Sequence, residues 1–90
     1  MKTIYIQKPN YHHHGTRTVY FMCCEDVDEL HRFAGSIGVT LQAFHEHPDN
    51  LYSLTIKHRQ KAIDRGAMAL DDQKFHDKVK FFRQQRMRKA

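Results

Sequence analysis

The apolar positions switch between strand and helix period five times along the chain, and each switch marks an element. In "TIYI" (residues 3–6) and "TVYFMC" (18–23), short β-branched and aromatic runs are bounded by turn residues, which predicts two strands. Between them Pro9, Asn10, His12, His13, His14 and Gly15 are turn-compatible, so a hairpin with a long loop is expected. "EDVDELHRFAGSIG" then shifts to helical spacing at Val27, Leu30, Phe33, Ala34 and Ile37. Asp26 with Glu29 three residues on has the form of a capping box, and Gly38 suits a left-handed stop. A helix is therefore expected over 26–37.

"VTLQAFHEHPDN" fits either a short strand or a helical turn, ahead of a loop at Pro48-Asp49-Asn50. "LYSL" (51–54) predicts a brief strand. Thr55 caps the following "IKHRQKAIDR", where Ile56, Ala62 and Ile63 supply a thin apolar stripe, and Gly66 ends that helix. "AMAL" (67–70) suits a buried strand. Asp71 or Asp72 caps a last helix with Phe75, Val79 and Phe82 on one face and an end expected to fray. The order β-β-α-(β)-α-β-α predicts an α/β fold, a small single sheet with helices packed on it. The helix between "LYSL" and "AMAL" acts as a crossover, so that part of the sheet is expected to be parallel.

Composition narrows the setting. Ninety residues with 40% hydrophobic content make one globular domain. No apolar stretch approaches the roughly 18 residues of a membrane span. "MKTIYIQKPN" lacks the apolar region and cleavage site of a secretion signal, so a cytoplasmic chain is expected. Cys23 and Cys24 are adjacent, and a strand points them to opposite faces, which disfavours a disulfide. Two free thiols, one facing the core, fit a reducing compartment. Charge adds a division. Residues 1–72 hold eight Lys/Arg against nine Asp/Glu, a net of −1, whereas 73–90 hold seven against one, a net of +6. A compact α/β domain over 1–72 followed by a basic C-terminal helix or tail over 73–90 is expected.

Several stretches together resemble a family of small bacterial and phage proteins catalogued only as a domain of unknown function. They are "IYI" at 4–6, Glu29-Leu30-His31, Phe33-Ala34, Ile37-Gly38, Phe44-His45, Tyr52, Arg59, Ala62 and Gly66-Ala67, covering roughly residues 3–70. The family pattern is similar to a "VYVD" strand, a second strand bearing histidine, "ELH.FA..IG", a "HYD" tripeptide and an "R..A...GA" helix end. This chain departs from it at the acid and histidine positions. Gln7 stands for the aspartate, Phe21 for the second-strand histidine, and Leu51-Tyr52-Ser53 for "HYD". The resemblance implies the fold and argues against catalysis inherited through those positions.

Candidate chemistry lies in three places. His12 and His14 share a side in an extended segment, as do His45 and His47, and imidazoles at about 2.0–2.1 Å suit zinc or nickel. A metal-dependent hydrolase built on these four is one expectation. Against it, no HExxH or cysteine-containing zinc spacing is present, so a polar loop is the plainer reading and no cofactor is expected. His31 is expected to pack on its helix, bonded to a carbonyl or carboxylate. A nucleophilic thiol is disfavoured because Glu25 and Asp26 beside Cys23 and Cys24 raise a thiol pKa.

The basic tail is the best lead. Lys74, Lys78, Lys80, Arg83, Arg86, Arg88 and Lys89 can neutralise phosphates. Phe81, off the apolar stripe, can stack on a base or dock a partner. The function expected is a small non-enzymatic protein whose C-terminal helix contacts nucleic acid or an acidic surface. A phage-type modulator binding a host protein, or self-association, is the nearest alternative.

Overall fold

The structure, a computed structural model, describes residues 2–8, 19–47 and 49–89. Five strands form one sheet: β1 (Ile4–Gln7), β2 (Tyr20–Cys24), β3 (Phe44–His45), β4 (Leu51–Leu54) and β5 (Met68–Leu70), in the order β3-β4-β2-β1-β5. Three helices accompany it, α1 (Val27–Ser36), α2 (Ile56–Asp64) and α3 (Asp72–Lys89). This is the α/β architecture expected from the apolar periodicities. The ambiguous segment after α1 holds both alternatives, a 3-10 turn at Leu41–Ala43 and then the two residues of β3.

The parallel pairing falls elsewhere than the crossover suggests. β4 and β5 run in the same direction, but β2 and β1 lie between them, so β5 pairs parallel with β1 and every other pair is antiparallel. β5 is thus an edge strand, and α3 follows it after one residue.

Strand alternation divides the core in two. Ile4, Ile6, Met22, Cys24, Tyr52 and Leu54 point to one face, where they meet Leu30 and Ala34 of α1 and Ala62 of α2. Tyr5, Phe21, Cys23, Leu51 and Leu70 point to the other, where Phe75, Val79 and Phe82 of α3 cover them. Both cysteines are consequently buried, one on each face, where the sequence suggested a single core-facing thiol. The sheet sits between α1 and α2 on one side and α3 on the other.

The helix caps follow their residue types. Asp26 Oδ1 accepts the Asp28 and Glu29 backbone N–H groups at the start of α1. Glu29 does not return the bond to Asp26. Its carboxylate accepts the Lys2 backbone N–H at 2.8 Å instead and ties α1 to the lead-in of β1. Thr55 Oγ1 caps α2 through the His58 N–H, and Asp71 caps α3 through the Lys74 N–H at 2.8 Å. Gly66 ends the α2 turn at φ +102°, a left-handed conformation that suits glycine. Ile56 departs from its expected place in the apolar stripe. At roughly 100° per residue it lies well round the helix from Ala62, and it is exposed while Ala62 is fully buried.

Candidate functional site

α3 is the element on which most of the expected contacts sit, and its register decides which of them face outward. Leu70 ends β5, and only Asp71 separates it from the helix, so α3 must fold straight back across the sheet. Phe75, Val79 and Phe82 recur one turn apart and fix the buried side at 3–6% exposure. The cationic positions then separate around the cylinder.

Lys74, Lys78, Phe81, Gln85 and Arg88 follow one another at three- and four-residue steps along the flank that faces the β5 edge. Lys80 and Arg83 lie on the opposite flank with His76. Arg83 is committed there to an ion pair: its Nη2 donates to Asp49 Oδ2 at 2.7 Å, and Asp49 is held between α3 and β4 with 12% of its side chain exposed. The Asp49 carboxylate pushes the Arg83 pKa further up, so that guanidinium is never free of charge. Arg86 points toward the sheet on the Phe75–Val79–Phe82 side. It is half-buried, and its Nη2 has no hydrogen-bond partner among the described residues. Lys89 is the last helical residue. The seven cations are therefore not one face. Lys74, Lys78 and Arg88 share a flank with Phe81, and Lys80, Arg83 and Arg86 do not.

That flank has a groove. Leu70, Lys74, Asp77, Lys78 and Phe81 line a space of about 370 Å³ between α3 and the end of β5. Phe81 is 51% exposed although its neighbour Phe82 is buried. Lys78 Nζ stands 5.0 Å from the centre of the Tyr5 ring, a cation–π contact that places the ammonium over β1, next to the edge strand. Asp77 offsets part of the charge, and its carboxylate accepts a bond from Gln73 Nε2 at 3.1 Å. The groove thus offers an aromatic face, an apolar floor, two ammonium groups and one carboxylate. Leu70 and Tyr5 escape the sequence reading. The one-residue link between strand and helix was the available signal for Leu70.

The histidines do not assemble a site among the described residues. His45 Nε2 lies 3.2 Å from Ser53 Oγ, and its ring stands edge-on to Phe21. His47 is exposed. His12 and His14 lie outside the described residues. No group of three or more His, Cys, Asp or Glu side chains close enough to hold a metal is found among the described residues. His31 Nδ1 lies 2.6 Å from the Tyr52 hydroxyl, with Phe44 edge-on at 4.6 Å. Its partner is thus a phenol, not the carbonyl or carboxylate expected, because β4 brings Tyr52 beneath α1. It does join helix to sheet.

The positions where this chain departs from the resembled pattern cluster at one end of the sheet. Gln7 Oε1 accepts the Phe21 backbone N–H at 3.0 Å, and Gln7 Nε2 donates to Asp72 at 3.4 Å. Arg59 Nε donates to the Gln7 carbonyl at 3.0 Å while its guanidinium lies 5.4 Å from the Tyr20 ring. Gln7 thereby links β1, β2 and α3, with α2 joined through Arg59. Both thiols are held protonated near neutral pH. Burial, then Cys24, pushes Cys23 up to about 12, with Lys78 and Arg86 opposing. Burial raises Cys24, a hydrogen bond with the Asp26 backbone opposes it, and Glu29, Asp26 and Glu25 add to the rise. At Cys24 the acidic neighbours act in the direction the sequence suggests, but burial is the larger cause.

No described helix is long and apolar enough to cross a membrane. A family described as a protein of unknown function (DUF4031) matches residues 4–84, which extends into α3 as far as Gln84, beyond the 3–70 span of the sequence resemblance. No curated protein and no solved structure matches.

Proposed function

We propose, for a chain that belongs to the DUF4031 family of unknown function, that it is a small cytoplasmic binding protein whose α3 flank takes a single strand of nucleic acid. The observation that supports this most is Phe81, half-exposed on the same flank as Lys74 and Lys78. An unstacked base can lie on that ring while the ammonium groups meet the phosphates on either side. Stacking of this kind contributes about 1–3 kcal/mol per base and is tolerant of sequence. A duplex keeps its bases stacked inside and offers nothing to Phe81, so single strands are preferred. The split of charge around α3 supports the same preference, because Arg83 and Arg86 are turned to Asp49 and the sheet and, among the described residues, α3 presents no broad cationic face to a duplex.

The test uses the full chain, because Phe75, Val79 and Phe82 cover the sheet and a chain ended at Asp72 would uncover Tyr5, Phe21 and Cys23. Fluorescence anisotropy of a labelled single-stranded oligonucleotide, with duplex and unlabelled strand as competitors, is expected to show preference for the strand. Phe81→Ala is expected to weaken binding between about fivefold and a hundredfold. Equal competition by duplex, or unchanged affinity in Phe81→Ala, overturns the reading. It would leave the flank as a docking surface for an acidic protein, such as the host protein expected of a phage-type modulator.

A further inference from the structure

A second cationic cavity lies on the other side of the β5 edge. Lys2, Ile4, Glu29, Arg32, Phe33 and Arg65 line about 500 Å³ between the start of β1, α1 and the end of α2. Three cations face one carboxylate there. Glu29 is occupied with the Lys2 backbone N–H, and Lys2 Nζ lies 3.3 Å from Glu25. Arg32 and Arg65 are exposed and have no ion-pair partner among the described residues. Ile4 and Phe33 give the cavity an apolar floor with a ring, as Leu70 and Phe81 do in the groove beside α3.

The two cavities are joined by the edge strand. Lys78 sits over Tyr5, and Tyr5 is the cross-strand partner of Met68, at the start of β5. Arg65 precedes Met68 by three residues, about 10 Å of chain at most. Met68 between them is 51% exposed, an apolar surface on the rim. Among the described residues, groove and cavity are thus separated only by the edge strand, with Met68 on its rim.

We infer that Arg32 and Arg65 form a second contact for the same nucleic-acid strand, which leaves the α3 flank at Lys78 and Phe81, bends over Met68 at the β5 edge and ends at the two guanidinium groups. This rests on the reading of α3 as a single-strand site and extends it to the opposite face of the sheet. A bent path is open to a single strand, which is flexible, and closed to a duplex, whose persistence length is about 150 base pairs. Guanidinium pairs with phosphate in a two-bond fork, so Arg32 and Arg65 suit the backbone, and the Phe33 ring suits a terminal base.

The measurement is the affinity of the Arg32→Gln/Arg65→Gln variant for single-stranded DNA of about four and about twelve nucleotides, across a salt series, beside wild type and Lys74→Gln/Lys78→Gln. Both arginines are on the surface, and an unchanged thermal midpoint confirms that the fold is intact. The expected result is a loss of about tenfold or more on the twelve-mer. The slope of log K against log salt becomes shallower by about 1.4, the value for two phosphates on a single strand. The four-mer, too short to span both contacts, is bound as by wild type. Unchanged affinity and slope on the twelve-mer, with Lys74→Gln/Lys78→Gln still weakened, overturns the second contact and leaves the α3 site standing. Equal loss on both lengths also overturns it, since the arginines would then not lie along a shared path. Failure of wild type to bind either length overturns both.

Discussion

Phe81 and Phe82 are neighbours in the chain and opposites in environment, and that contrast is the residue-scale core of the account. Phe82 is 6% exposed against the Tyr5 ring, whereas Phe81 is 51% exposed beside Lys78. Truncating a packed phenylalanine costs about 3–5 kcal/mol, while a surface change away from caps and ion pairs stays within about 0.5 kcal/mol. Urea unfolding is therefore expected to find Phe82→Ala heavily destabilised and Phe81→Ala close to wild type. Equal losses would mean that Phe81 is a packing residue. Cys23 offers a second residue-scale outcome. Its folded pKa, raised to about 12 by burial, exceeds the ordinary thiol value near 8.5. Between those values the unfolded chain releases a proton that the folded chain keeps, so stability falls as pH rises, by at most about 1.4 kcal/mol per unit from this group. Thermal midpoints are expected to decline above about pH 9 and to decline less in Cys23→Ala. A variant with the same slope as wild type would remove Cys23 as the cause.

At the scale of elements, each helix is fixed by a cap that its sequence announces and by an apolar stripe that its partners complete. Asp26 accepts two backbone N–H groups at the start of α1. Asp26→Ala is expected to cost about 1 kcal/mol in urea unfolding; a loss below a few tenths would show the cap to be idle. The strands, the caps and the Phe75–Val79–Phe82 face were legible because each depends on near neighbours in the chain. The pairing of β5 with β1 was not, since the choice among strands is made by helix packing on both faces. Nor was the second cysteine's burial, which needs α3 as a cover. For the candidate site, the residue types were legible in the charge imbalance of the last 18 residues, but their grouping was not. Arg83 and Arg86 look identical to Lys74 in sequence. Only Asp49, contributed from the turn before β4, and the inward register of α3 separate them. Gln7 stands out in the sequence only as a departure from a pattern, and its linking of β1, β2 and α3 depends on Phe21 and Asp72, which are distant in the chain.

At the scale of the whole molecule, the charge excess is not a diffuse property of the surface. Part of it is neutralised at Asp49 and part turned inward, Lys80 lies on the opposite flank of α3, and Lys74, Lys78, Arg88, Arg32 and Arg65 lie on the two sides of a single sheet edge. The molecule is 40 Å in its longest dimension, which an oligonucleotide of about twelve nucleotides at 3.4 Å each matches in length. The most direct test of the central claim is the salt dependence of binding to that oligonucleotide, in wild type and in Lys74→Gln/Lys78→Gln/Phe81→Ala. Wild type is expected to show a linear fall of log K with log salt. The variant is expected to bind more weakly at every salt concentration, with a slope shallower by about 1.4 for the two lost ammonium contacts. Wild-type binding that ignores salt, or a variant that retains the wild-type slope and affinity, would contradict a nucleic-acid site on α3.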